Sequence, residues 1–382
     1  MANVLRGETT RQRDASAASG SLPRPRPGVQ QIPPYVAGRS AAPGAAKPIK
    51  LSSNECALGA SPKAMAALRE AAADLHRYPD SAATALRAAL AARHAIAAEQ
   101  IVCGDGSDEL LHLLCQAYAG AGDEVLYSEH GFVVYPMVAL AVGATPVKSP
   151  ERDCRVDVDA MLAKVTPRTR VAFVANPNST GTYVLAGEVE RLRRRLPSDL
   201  LLVLDAAYAE FVEPADYDAG VALVRSTGNT VMTRTFSKAF GLAGVRLGWA
   251  YCPTAIANVL NRVRAPFNVT LPAQRAGVAA LEDAEFSAAV RAHNARWRPW
   301  LESELARLGL KPVPSVANFV LTRFPGGEKQ ADAANAHLMA RGVLVREMKA
   351  YGLGDCLRIT VGREDELNAL LAGLKDFLGA AK

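Results

Sequence analysis

The run Thr235-Phe236-Ser237-Lys238-Ala239-Phe240-Gly241-Leu242-Ala243-Gly244-Val245-Arg246 sets a lysine among hydroxyls and glycines, with an arginine eight residues downstream. Hydroxyls and a guanidinium can hold an anionic group while the lysine amine forms a Schiff base with an aldehyde. Lysine suits that task because burial or a nearby cation lowers its pKa and leaves a neutral, nucleophilic amine. A lone Ser-Lys in a glycine-rich loop is ordinarily a surface feature. Asp205, thirty-three residues upstream at the end of an apolar run, with Tyr208 three residues on, changes that reading. A carboxylate there can pair with a protonated pyridine nitrogen and keep the ring an electron sink, although it could equally cap a following helix.

These residues need rigid elements to place them. Val171–Ala175 and Leu200–Leu204 are apolar on both alternating faces, as strands covered by helices on both sides must be. Each ends in a polar residue, Asn176 and Asp205, at the carboxyl end where open α/β sheets gather ligands. Similar runs at 124–127, 145–147, 230–233 and 247–252 alternate with helical stretches, the first opened by Ser61-Pro62 as cap and first turn. The pattern predicts an α/β fold with a large domain built on a mostly parallel sheet covered by helices. A long helix is expected from Pro272 to about Leu308, and a smaller α+β domain after it. The expected divisions are a disordered leader at 1–30, an N-terminal arm at 31–55, a large domain at 56–272 and a small C-terminal domain at 273–382.

Composition narrows the function classes. The 382 residues are 49% hydrophobic and 21% charged, without the ~18–20 consecutive apolar residues a membrane-spanning helix needs. The six cysteines form no C-x-x-C pair and have no histidines at ligand spacing, so no metal site is expected and the thiols read as free, in a reducing, cytoplasmic compartment. The net charge of +6 is dispersed apart from Arg191, Arg193, Arg194 and Arg195, without the interleaved aromatics of a nucleic-acid platform.

From about Pro34 to Leu378 the chain resembles the fold-type I pyridoxal-phosphate aminotransferases, most closely the histidinol-phosphate aminotransferases. The resemblance rests on Leu51-Ser52-Ser53-Asn54-Glu55, Arg77-Tyr78-Pro79, Gly104 to Glu109, Asn176-Pro177-Asn178, Asp205 with Tyr208, Thr235 to Trp249, and Cys356 to Gly362, in that order. It implies that Lys238 forms the Schiff base with pyridoxal 5'-phosphate and shuttles the substrate's α-proton. It further implies that Asp205 holds the pyridine nitrogen protonated, that Asn176 and Tyr208 bond the ring's phenolic oxygen, and that Phe132 stacks on the ring. Ser107 and Asp108, at the start of an apolar helix, would cradle the phosphate with Thr235, Ser237 and Arg246. Tyr78 would come from the partner subunit of a homodimer.

Tyr35, Asn54, Arg346 and Arg358 match substrate-contacting positions of the same family. Histidinol phosphate carries a phosphate and no carboxylate, glutamate two carboxylates, and two guanidinium groups can accept both kinds of anion. The implied reaction is transamination between L-histidinol phosphate and 2-oxoglutarate. Alternatives are an aromatic amino-acid aminotransferase, since an imidazole pocket can admit a benzene ring, and a phosphothreonine decarboxylase using the same cofactor. Two departures stand out. The turn Asn176 to Gly181 is one residue shorter than the family's and lacks its second proline, and Glu129-His130 replaces the common Pro-Thr, with His130 reading as structural.

Overall fold

The computed structural model describes residues 23–42 and 47–380. Its larger sheet has seven strands in the spatial order Ile101–Gly104, Gly248–Tyr251, Thr230–Thr235, Leu201–Asp205, Thr169–Ala175, Glu124–Ser128 and Thr145–Ser149. Gly248–Tyr251 runs antiparallel to both neighbours, and the rest are parallel. Alternation sorts the apolar side chains: Val171, Phe173, Leu201 and Val203 enter one core, Ala172, Val174, Leu202 and Leu204 the other. Removing one such ring, Phe173→Ala, is expected to cost about 3–5 kcal/mol. Register aligns Ala175 with Asp205 and Asp205 with Thr233, so Asn176, Asp205 and Thr235 end adjacent strands at one rim.

The second sheet is five-stranded, in the order Ile49–Leu51, Val343–Glu347, Cys356–Thr360, Phe319–Arg323 and Lys311–Val313. Its apolar side chains form one core with helices Ala284–Arg307, Gly327–Ala340 and Glu364–Ala380. Ile49–Leu51 pairs in parallel with Val343–Val345, so part of the expected arm 31–55 is built into the smaller domain.

Three expectations need correction. The long helix after Pro272 is two, Leu271–Leu281 and Ala284–Arg307, because Asp283 stops one and caps the next, accepting a hydrogen bond from the Phe286 N–H at 3.2 Å. Its other oxygen accepts from the Ser61 hydroxyl at 2.6 Å. The first of these helices packs on Pro62–Ala71 and Thr84–His94, so the large domain runs past 272 to about Leu281. Within the leader, Pro27–Gln30 forms a helical turn against helix Val134–Val142, with the Arg26 guanidinium on the Ala141 carbonyl. Residues 1–22 of that leader lie outside the described residues. Among the described residues, no helix is long and apolar enough to cross a membrane.

Candidate functional site

The rim of the larger sheet and the facing strands of the smaller one enclose a cavity of about 410 Å³. Thirteen of the fifteen residues singled out from the sequence line it: Tyr35, Asn54, Ser107, Asp108, Phe132, Asp205, Tyr208, Thr235, Ser237, Lys238, Arg246, Arg346 and Arg358. The two others do not. Asn176 lies beneath the cavity, its amide bonded to both backbone groups of Val184, accepting from the N–H at 2.9 Å and donating one of its two hydrogens to the carbonyl at 3.2 Å. Tyr78 is 83% exposed and stacks on Phe267, ring centroids 4.6 Å apart.

Lys238 follows strand Thr230–Thr235 and donates from Nζ to the Ser53 carbonyl at 3.0 Å. Burial, seconded by the Arg358 guanidinium, pulls its pKa down to about 8. That leaves a usable fraction of neutral amine near neutral pH. Tyr208 places its ring 5.9 Å from Nζ, and its hydroxyl accepts from Asn54 Nδ2 at 2.8 Å. Asn54 is itself held in a left-handed conformation, φ 54°, with its N–H donated to Thr360 Oγ1 at 2.9 Å.

Asp205 is buried and has no ion-pair partner among the described residues; its oxygens accept from the Tyr135 hydroxyl at 2.8 Å and the Thr233 hydroxyl at 3.3 Å, with the Ala207 backbone N–H as a further donor. Burial therefore raises its pKa to about 6. A protonated ring nitrogen is the group that would restore its charge. The sequence reading missed Tyr135, in the first turn of helix Val134–Val142 and three residues after Phe132, edge-on to that ring at 6.0 Å. It also stacks on Phe173 at 4.7 Å, which fixes the hydroxyl's aim.

Helix Gly106–Tyr118 begins at the cavity wall. Two glycines make room for its first turn. Gly106 has φ +74°, and a Cβ there would run into the Arg246 guanidinium; a Cβ on Gly248 would strike the Ser107 backbone nitrogen. Around the helix start stand the hydroxyls of Ser107, Thr235 and Ser237, with Arg246 3.4 Å from both Ser237 Oγ and Asp108 Oδ2. Charge-assisted bonds close to about 2.7–2.9 Å, so Arg246 keeps donor capacity for an anion. A phosphate fits this cradle by chemistry: helix N–H groups, hydroxyls and one guanidinium.

On the facing sheet, Arg358 Nη1 donates to the Ser179 carbonyl at 3.2 Å, and its Nε is buried without a partner. The guanidinium lies 4.9 Å from the Phe319 ring and 5.4 Å from that of Tyr351. Arg346 donates to the Val36 carbonyl at 3.0 Å, beside Tyr35. Sequence gave no signal for Tyr351, whose ring enters the cavity from a short turn.

A reactive lysine, a buried acid and an anion cradle set on one rim are the apparatus of an aminotransferase. The chain belongs to the family of class I and II aminotransferases, whose model matches residues 46–374. It is 57% identical over 362 residues to a histidinol-phosphate aminotransferase of Paramagnetospirillum magneticum, covering 94% of this chain and 100% of that one. Identity to the histidinol-phosphate aminotransferase of Rhodospirillum centenum is 54%, over 94% of this chain and 99% of the relative. The fold is similar to the crystal structure of histidinol-phosphate aminotransferase from Sinorhizobium meliloti in complex with pyridoxal-5'-phosphate, with TM-score 0.87, 29% identity and coverage of 96% and 100% of the two chains.

Proposed function

We propose that this chain transfers the amino group of L-histidinol phosphate to 2-oxoglutarate, giving imidazole acetol phosphate and L-glutamate, with pyridoxal 5'-phosphate as cofactor. The observation that carries the reading is Arg358: a guanidinium only 7% exposed, paired with no carboxylate among the described residues, beside a second arginine and facing the lysine's cavity. Buried charge without a counterion is costly, so the site is built for an anionic ligand. The names of relatives at 49–57% identity support histidinol phosphate as that ligand's source.

When bound, pyridoxal phosphate supplies an aldehyde for amino groups and a ring that draws electrons from the carbon bearing them. The chain's residues do the rest. Ser107, Thr235, Ser237 and Arg246 hold the phosphate, with Asp108 orienting Arg246, and Asp205 keeps the ring nitrogen charged. Phe132 supports the ring, and Tyr208, oriented by Asn54, stands beside Lys238 with Asn176 beneath. Lys238 Nζ would anchor the cofactor and, once released as a free amine, would take the proton from the substrate's α-carbon. Arg358 and Arg346, with Tyr35, orient the substrate by its phosphate, or by a carboxylate of glutamate.

The working unit in this reading is a cytoplasmic homodimer in which Tyr78 reaches the partner's site; an 83% exposed tyrosine stacked on a 40% exposed phenylalanine is a surface suited to a second copy. An aromatic amino-acid reading has one observation in its favour. An apolar cavity of about 620 Å³ adjoins the first and shares Tyr35, Gly38 and Arg346 with it. Mixing the holoenzyme with L-histidinol phosphate and, separately, L-phenylalanine tests both. The expected result is faster loss of the bound cofactor's visible absorbance, with a much larger specificity constant, for histidinol phosphate. Equal or faster reaction with phenylalanine overturns it, as does carbon dioxide released from phosphothreonine.

A further inference from the structure

His130 and Glu151 lie outside the cavity yet join both of its walls. His130 Nδ1 is 2.7 Å from the Tyr351 carbonyl oxygen, and since a carbonyl only accepts, the ring proton sits on Nδ1. The His130 backbone N–H donates to Glu151 Oε1 at 3.2 Å, and Asn178 Nδ2 donates to the same oxygen at 3.0 Å. One carboxylate oxygen thereby ties the loop before Phe132 to the turn after Asn176. Each tied segment then grips the smaller domain next to the substrate arginine. His130 holds Tyr351, whose ring lies 5.4 Å from the Arg358 guanidinium, and Ser179, next to Asn178, takes the Arg358 Nη1 hydrogen bond at 3.2 Å. The brace thus spans His130, Glu151 and the turn that holds Asn178 and Ser179.

We propose that His130 and Glu151 are positioning residues for substrate: together they fix Tyr351 and the Ser179 carbonyl, and so aim Arg358 at the substrate's anionic group. This rests on the proposed function only in taking Arg358 as the anion's partner. Burial pushes the Glu151 carboxyl above its ordinary value, and both bonds of the brace end on Oε1, so what the brace uses is that acceptor rather than the charge.

The test compares His130→Ala with His130→Asn, whose amide can donate from nearly the same place as Nδ1, and Glu151→Ala with Glu151→Gln, which keeps the Oε1 acceptor. For both alanine variants the KM for L-histidinol phosphate is expected to rise at least tenfold with kcat within about threefold of wild type, while Asn and Gln restore KM to within about threefold. Cofactor affinity, titrated separately, stays at the wild-type value in all four. An unchanged KM in the alanine variants, a fall in kcat matching the rise in KM, or an Asn or Gln variant as impaired as Ala overturns the proposal. Should an alanine variant not fold, the Asn and Gln variants still decide against wild type, because each must stay close to it. If wild type itself ignores histidinol phosphate, the proposed function falls, and the same KM comparison is made with glutamate, whose carboxylate would take the same arginine.

Discussion

Arg346 and Arg358 stand directly opposite one another on neighbouring antiparallel strands, Val343–Glu347 and Cys356–Thr360. Like charges in that register repel, and here neither arginine has a carboxylate partner among the described residues. The pair is therefore a standing cost that a bound anion relieves. Arg358→Ala is expected to lower kcat/KM for L-histidinol phosphate by about 1.5–3 kcal/mol, roughly 10- to 150-fold. In the cofactor-free protein, the rise in melting temperature caused by inorganic phosphate should shrink in the same variant. An unchanged kcat/KM removes Arg358 from the substrate pocket.

Lys238 carries a pH signature that belongs to the cofactor-free protein. With its pKa drawn from 10.5 to about 8, the neutral amine dominates above pH 8, so the rate of cofactor loading should climb between pH 7 and 9 and level off above. Because Arg358 is the second cause of the shift, Arg358→Ala should move that midpoint upward. Following the visible absorbance of the loading protein measures both. A midpoint near 10.5 would mean that the amine sits in water. Lys238→Ala should show no turnover at any pH.

Asp205 is placed for function at the expense of stability. Its folded pKa of about 6 lies above the ordinary 3.8, so between those values the folded state holds a proton that the unfolded state has released. Stability of the cofactor-free protein thus falls as pH rises from about 4 to 6 and stays reduced above. Asp205→Asn removes that penalty and should stabilise the cofactor-free protein at pH 7.5 by up to about 3 kcal/mol, with no gain at pH 4. The same change should abolish useful turnover, because the ring nitrogen loses its counterion. Denaturant melts at the two pH values check the sign; destabilisation at pH 7.5 would refute it.

Much of this was legible before any coordinates. Two strands apolar on both faces and ending in Asn176 and Asp205 announce a covered parallel sheet and the rim where chemistry gathers, because burial on both sides forbids polar residues until the strand leaves the sheet. Other features depend on partners distant in sequence. Ile49–Leu51 looks like part of a loose arm and becomes a strand only because Val343–Val345 lies beside it. The break at Asp283 hides inside an apolar periodicity, where a single capping residue outweighs the helical pattern around it. Asn176 is legible as the residue that ends its strand, whereas its bonds to both backbone groups of Val184, eight residues on, depend on the path of the intervening turn. Tyr351 and Glu151 carry no local motif at all, and their roles exist only where the two domains meet.

Gly248 offers the sharpest test of the phosphate cradle, because it separates geometry from chemistry. It opens strand Gly248–Tyr251, pairs with Gly104 on one side and Thr235 on the other, and lets the Ser107 backbone nitrogen come up against its α-carbon. A methyl there removes no hydrogen-bonding group; it pushes the start of helix Gly106–Tyr118 away from Thr235 and Ser237. Gly248→Ala should weaken cofactor affinity at least tenfold and destabilise the fold by about 1–3 kcal/mol, the usual cost of overpacking. Gly244→Ala, four residues earlier in the short turn Ala243–Val245 and with no atom within 4 Å of an added Cβ, is the control and should bind cofactor like wild type. If both variants titrate alike, the helix start does not hold the phosphate, and the anion must instead rest on Arg246 and the hydroxyls alone.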